Sequence, residues 1–157
     1  MHVTALPPFW TLVQAHGDEL LVHARRLAGD AQAEDVLQDA LLRALRAYPQ
    51  LRHAEHLRAW LYRVTTTTAL DLHRARRREV LVPEPPAQAA EAPELYDDAF
   101  EALIAPLPDP AQAALRLRFV DDLDYDGIAR RLGCSAVAAR QRVSTAVRTL
   151  RTHGIPT

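Results

Sequence analysis

Apolar side chains recur at three- and four-residue spacing along most of the chain and rarely alternate, so the element the sequence predicts is the α-helix. Phe9, Leu12, Val13, Leu20, Leu21, Ala24 and Leu27 form a first stripe, expected to break at Gly17 and to stop at Gly29-Asp30. From Ala33 to Ala47 one face holds Val36, Leu37, Ala40, Leu41, Ala44 and Leu45, and the other holds Glu34, Asp35, Gln38, Asp39, Arg43 and Arg46. After the loop "YPQLRHAEH" a third helix is expected from about Leu57, carrying Trp60, Leu61, Val64, Ala69, Leu70 and Leu72 and running into the cluster "RARRR" at 74–78. Trp60 stands at helical spacing from Leu57 and Val64, which reads as core rather than as a stacking platform. Four shorter helices follow, at about 95–105, 110–120, 124–132 and 135–151.

Proline divides the pattern. The stretch "PEPPAQAAEAP" at 83–93 contains four Pro, each removing a backbone donor and restricting its predecessor, so no helix or strand runs through it. The expected organisation is a helical domain over 8–80, a linker over 81–94 and a second helical domain over 95–153. The fold class is all-α, two small helical domains joined by a Pro-rich linker. A second break, "PLPDP" at 106–110, is expected to start a helix with Asp109 as cap and Pro110 in the first turn.

Composition narrows the class. The chain has 157 residues, 48% hydrophobic content and few Gly, enough for a core in one domain or two small ones. Its lone cysteine, Cys134, allows neither an internal disulfide nor a cysteine metal cluster, which fits a reducing cytoplasm. The start "MHVTALPPFW" lacks the basic and apolar pattern of a signal peptide, and no run is long enough to span a membrane. A soluble, cytoplasmic protein without membrane insertion is expected. The net charge of −1 hides a strong segregation. All nineteen cations are Arg; residues 128–157 hold six Arg and no acid, while 83–127 hold eleven acids and two Arg. Arg-rich segments flanking an acidic middle hint at nucleic acid. An enzyme finds no support: no Ser/His/Asp grouping, Gly-rich phosphate loop or metal set is present, the seven His are scattered, and no cofactor is implied.

One stretch, "DDLDYDGIARRLGC" at 121–134, can be read two ways. Asp122, Asp124 and Asp126 followed by Gly127 imitate the opening of a calcium loop, but the twelfth position, which needs a bidentate Glu, is Gly133, and Arg130 and Arg131 fall inside the cage. Asp124 as a helix N-cap accounts for the acids without a ligand. The alternative is a helix-turn-helix, with Ala129 where the helices meet, Gly133 at the turn, Val143 anchoring the second helix and Ile128, Leu132 and Cys134 in the core. Ser135 then caps a helix exposing Arg140, Gln141, Arg142, Ser144 and Arg148, types that bond base edges or phosphates.

Taken together, three segments resemble the extracytoplasmic-function (ECF) sigma factors, small members of the sigma-70 family. "AEDVLQDALLRALRAY" and "LRAWLYRV…ALDLHRARRR" are similar to the family's region 2, and "LPDPAQAALRLRFVDDLDYDGIARRLGCSAVAARQRVSTAVRTLR" to its region 4. The resemblance implies a subunit that binds core RNA polymerase and promoter DNA, masked at times by an anti-sigma factor. Carried over by position, Asp35, Gln38, Asp39 and Arg43 would dock on the polymerase. Arg58, Arg63, Thr66, Thr67, Arg74, Arg76, Arg77 and Arg78 would hold the −10 element, where a base must leave the stack. Ser135, Arg140, Gln141, Arg142, Ser144 and Arg148 would meet the −35 element.

The chain departs from the family at "TTTT", Thr65 to Thr68, where an Arg-Asn pair is usual. That removes a charge and an amide, and either retunes or abolishes −10 recognition. Arg140 replaces a common Lys, Ala138 and Ala139 replace Thr and Val, and Thr145 and Val147 stand at usually basic positions, so region 4 alone should bind DNA weakly. Two readings follow: a promoter-specific sigma factor, or a sigma-like interaction protein that binds polymerase or a partner without opening promoters. The acidic middle and basic helices also suggest that the two units close on each other.

Overall fold

The structure is a computed structural model and describes residues 6–51, 55–79 and 93–153. Among these residues there are seven α-helices, one 3-10 turn and no strand: α1 Phe9–Ala28, α2 Ala33–Ala47, the turn Tyr48–Gln50, α3 Leu57–Glu79, α4 Pro93–Ile104, α5 Asp109–Phe119, α6 Tyr125–Leu132 and α7 Ala136–His153. No described helix is long and apolar enough to cross a membrane. The all-α expectation and every helix of the pattern are present; the linker at 81–92 lies outside the described residues.

The first stripe does not break at Gly17. α1 runs through it unbroken, because a mid-helix Gly costs only about 1 kcal/mol relative to Ala, less than burying Leu12 and Leu20 on either side returns. In α2 the apolar face is narrower than the sequence suggested: Val36, Ala40 and Ala44 are buried, Leu37 and Leu41 half-buried, and Leu45 is 49% exposed. The expected cap at Asp109 is also displaced. Pro108 occupies the N-cap, Asp109 is the first helical residue, where its charge meets the helix dipole, and Pro110 follows.

α3 is the axis of the molecule. Ten consecutive residues, Leu61 to Leu70, are all buried. At 100° per residue they point in every direction around the helix, so burial of all ten requires neighbours on all sides. α1 and α2 cover part of the circumference and α4 and α5, from the C-terminal unit, cover the rest. The Thr run sits inside this sleeve, at 1%, 0%, 4% and 0% exposure for Thr65 to Thr68. Thr65 and Thr66 turn their hydroxyls back onto the carbonyls of Leu61 and Tyr62, both at 2.8 Å, which satisfies polar groups that water cannot reach. Trp60 is buried beside them, as its spacing implied.

The two units share one continuous apolar core. Phe119 of α5 joins them: its ring stacks on Tyr62 of α3 at 5.1 Å, lies 5.0 Å from His23 of α1 and meets Phe100 of α4 edge-on at 6.3 Å. At the far end, α1 also packs on α7.

Candidate nucleic-acid interfaces

The C-terminal unit is built as a helix-turn-helix. Asp124 caps α6, its Oδ1 accepting the Gly127 N–H at 2.7 Å. Gly133 ends α6 at φ 69°, the left-handed conformation that a Cβ penalises, and Ala129 O takes the next N–H, from Cys134, at 3.0 Å. Ser135 then caps α7, accepting the Ala138 N–H on Oγ at 3.1 Å. Ile128, Ala139, Val143, Ala146 and Val147 bury the seam between α6 and α7, while Leu132 and Cys134, expected in the core, are half-buried at its margin.

This frame turns a set of polar groups outward. Arg140, Gln141, Arg142 and Arg148 are exposed, Ser135 is exposed at the cap and Ser144 is half-buried. All six −35 candidates thus lie on α7 or at its start, and none is covered by the N-terminal unit's core. Arg140 does not hang free: its guanidinium lies over the Tyr125 ring at 5.0 Å, and Arg118 lies over the same ring at 4.4 Å.

The −10 candidates are placed very differently. Arg63 is 8% exposed, bonded to Asp97 of α4 at 2.7 Å and to the carbonyl of Phe119 at the end of α5. Arg58 is bonded to Glu19 of α1 and to Asp122 of the C-terminal unit, the latter at 3.1 Å, and lies over Tyr62. Thr66 and Thr67 are buried, so the surface expected from Thr65 to Thr68 is not a surface in this arrangement. The physical reason is the sleeve around α3, in which the Thr65 and Thr66 hydroxyls are satisfied within the helix. Arg74 is exposed, the side chains of Arg76, Arg77 and Arg78 fall outside the described residues, and so does part of the loop from Leu51 to His56.

His23 and Tyr62 show how dry the junction is. Thr66 spends its only hydroxyl hydrogen on the Tyr62 carbonyl, so His23, 2.7 Å away, must donate to it from Nε2. The ring is held neutral: burial first, then the charges of Arg26 and Arg118, bring its pKa from 6.5 to about 3. Burial likewise pushes the Tyr62 hydroxyl up to about 12.

On α2, Asp35 and Gln38 are exposed and Asp39 is half-buried. Arg43 leaves this face and bridges Asp39 at 3.0 Å and Asp71 of α3 at 2.9 Å. Sequence reasoning missed Leu42, 52% exposed, and placed Leu45 in the core. The signal was available, since Gln38, Leu42 and Leu45 stand at i, i+4 and i+7, one face of a helix.

Two segments of the chain match known families. Residues 12–79 match the family described as Sigma-70 region 2, and residues 97–150 match Sigma-70, region 4. ECF RNA polymerase sigma factor SigE of Mycolicibacterium smegmatis is 29% identical over 95% of this chain and 62% of its own length. This chain therefore spans less than two thirds of that relative. RNA polymerase sigma-H factor of Pseudomonas aeruginosa is 31% identical over 86% of this chain and 80% of its own. Among solved structures, the sigma factor RpoE in complex with the anti-sigma factor NepR from Bartonella quintana aligns over 92% of this chain and 94% of that one, at 25% identity and a TM-score of 0.47. With both regions matched, in order and over most of its length, the chain belongs to the sigma-70 family, among the ECF sigma factors.

Proposed function

We propose that this chain binds core RNA polymerase and directs it to promoters, reading the −35 element with α7 and the −10 element with α3 and the loop before it. The observation that carries the reading is the capped α6–turn–α7 unit with Arg140, Gln141, Arg142 and Arg148 facing outward, in a chain whose α2 offers a separate acidic and aliphatic face. In this reading the protein has no catalytic chemistry of its own, works in the cytoplasm and is held inactive by an anti-sigma factor. Asp35, Gln38 and Asp39, with Leu42 and Leu45, supply the polymerase face; Arg43 braces α2 against α3.

Promoter engagement begins with separation of the two units. Arg58 and Arg63 cannot meet DNA phosphates while bonded to Asp122, Asp97 and the Phe119 carbonyl, so the C-terminal unit acts as a competitor for the same guanidinium groups. Burial of the Thr run supports a second reading, a sigma-like interaction protein that keeps α2 and has lost promoter opening. Two variants separate the readings. Asp39→Ala is expected to weaken core-polymerase binding under both; Arg77→Ala with Arg78→Ala is expected to leave that binding intact and abolish promoter melting, read by permanganate footprinting. Core binding without melting by the unaltered chain would establish the second reading.

A further inference from the structure

The ring of Tyr125, partly buried against the core at the start of α6, is also approached by cations from two neighbouring helices. It is half-buried at the first position of α6, directly after the cap Asp124, and its place relative to α7 is fixed by the Asp124 cap on one side and the Gly133 turn on the other. Over it lie two guanidinium groups from different helices, Arg118 of α5 at 4.4 Å and Arg140 of α7 at 5.0 Å. Arg118 is itself anchored, donating Nη1 to the Leu123 carbonyl at 3.0 Å, so one of the two cations over the ring is fixed. Arg140 makes no hydrogen bond or ion pair among the described residues, so its N–H donors are not committed there.

We propose that Tyr125 is a positioning residue for direct base readout: it holds the Arg140 guanidinium in the orientation that meets one guanine of the −35 element edge-on. The inference rests on the reading of α7 as the −35 helix. The chemistry favours Arg at this position. A planar guanidinium can stack on an aromatic face and presents two parallel donors in a rigid fork that matches guanine O6 and N7, whereas an ammonium is a point charge on a flexible stem without that fork. The N-terminal part of a recognition helix is where base edges are met, and Arg140 stands in the second turn after the Ser135 cap. A stacked Arg loses less rotamer freedom on binding, so the ring converts a mobile cation into a directional one.

The test is selection from a promoter library randomised across the −35 element, using holoenzyme reconstituted from core RNA polymerase and the full chain. Arg140→Ala is expected to flatten preference at one base pair. Tyr125→Leu should reduce discrimination at that same pair about two- to fivefold, the range of an exposed cation–π contact, and Tyr125→Phe should keep it. Arg140→Lys, an exposed change that keeps the charge and leaves the fold alone, should lose the discrimination at that base pair. In the Arg140→Ala background, Tyr125→Leu should add nothing. An equal further loss in that background, or an Arg140→Lys protein as selective as the unaltered one, overturns the proposal. Selection of no −35 sequence by the unaltered chain overturns the −35 reading as well.

Discussion

Removing the acidic partners that the C-terminal unit gives to Arg58 and Arg63, while Glu19 of α1 still holds Arg58, should shift the molecule toward an open form that exposes α3. The variant is Asp97→Ala with Asp122→Asn; Asn is chosen at 122 because that residue sits at φ 56°, a conformation Asn tolerates and Ala does not. Neither residue belongs to the proposed DNA-binding set. Asp97 accepts from Arg63 at 2.7 Å, a bond to a charged donor worth about 1.5–3 kcal/mol when buried, reduced to about 1–1.5 kcal/mol because the Asp97 side chain is 54% exposed. The Asp122 to Arg58 pair, at 3.1 Å, adds about 0–1 kcal/mol. The sum, about 1–2.5 kcal/mol, shifts the balance between closed and open forms by about five- to seventyfold. Dyes on α2 and α7 would report the separation by energy transfer, and a fluorescent single strand would report access to Arg58 and Arg63. The double variant should show lower transfer and tighter single-strand binding. A loss of two acids that leaves both readouts unchanged would refute the view that these pairs hold the units together.

Four further outcomes follow from the junction and the α6 cap. His23 has its pKa lowered from 6.5 to about 3, so the unfolded chain binds a proton that the folded one refuses; the stability it contributes is complete above pH 6.5 and is lost as pH falls toward 3. Between pH 7 and pH 5 that loss should be about 2 kcal/mol, read as the difference in the pH dependence of the urea-unfolding free energy between the unaltered protein and His23→Gln; parallel pH profiles would count against it. Thr66→Val should cost about 1–3 kcal/mol by stranding the His23 Nε2–H in a dry site. Thr67→Val should be neutral or stabilising, since the Thr67 hydroxyl is buried with no partner among the described residues, and thermal unfolding distinguishes the pair. Asp124→Ala should destabilise the C-terminal unit by about 1 kcal/mol through loss of its cap, visible as an earlier denaturant midpoint for probes on α6 and α7.

The sequence carried the helices and the helix-turn-helix well because those signals are local. Asp124, Gly133 and Ser135 act on their own backbone within a few residues, so type and spacing suffice to place them. What the sequence hid is what depends on partners far along the chain. Thr is compatible with an exposed DNA-facing strip and equally with a dry helix interior, because its hydroxyl can bond four residues back. Arg63 looked like a phosphate ligand until Asp97 and Phe119, more than thirty positions away, were brought to it. Gly17 and Asp109 were misplaced for the opposite reason: strong local signals were overruled by burial of Leu12 and Leu20 and by a Pro one position earlier. Leu45 shows that apolar identity alone makes a helix stripe too wide.

The most direct measurement of the central claim is transcription from sheared genomic DNA by purified core RNA polymerase, with and without this protein, followed by mapping of the new 5′ ends. A promoter-directing protein should give discrete starts that share two upstream elements at fixed spacing, with those starts lost when Arg77 and Arg78 are replaced by Ala. A protein that binds core polymerase yet adds no discrete start would contradict that role.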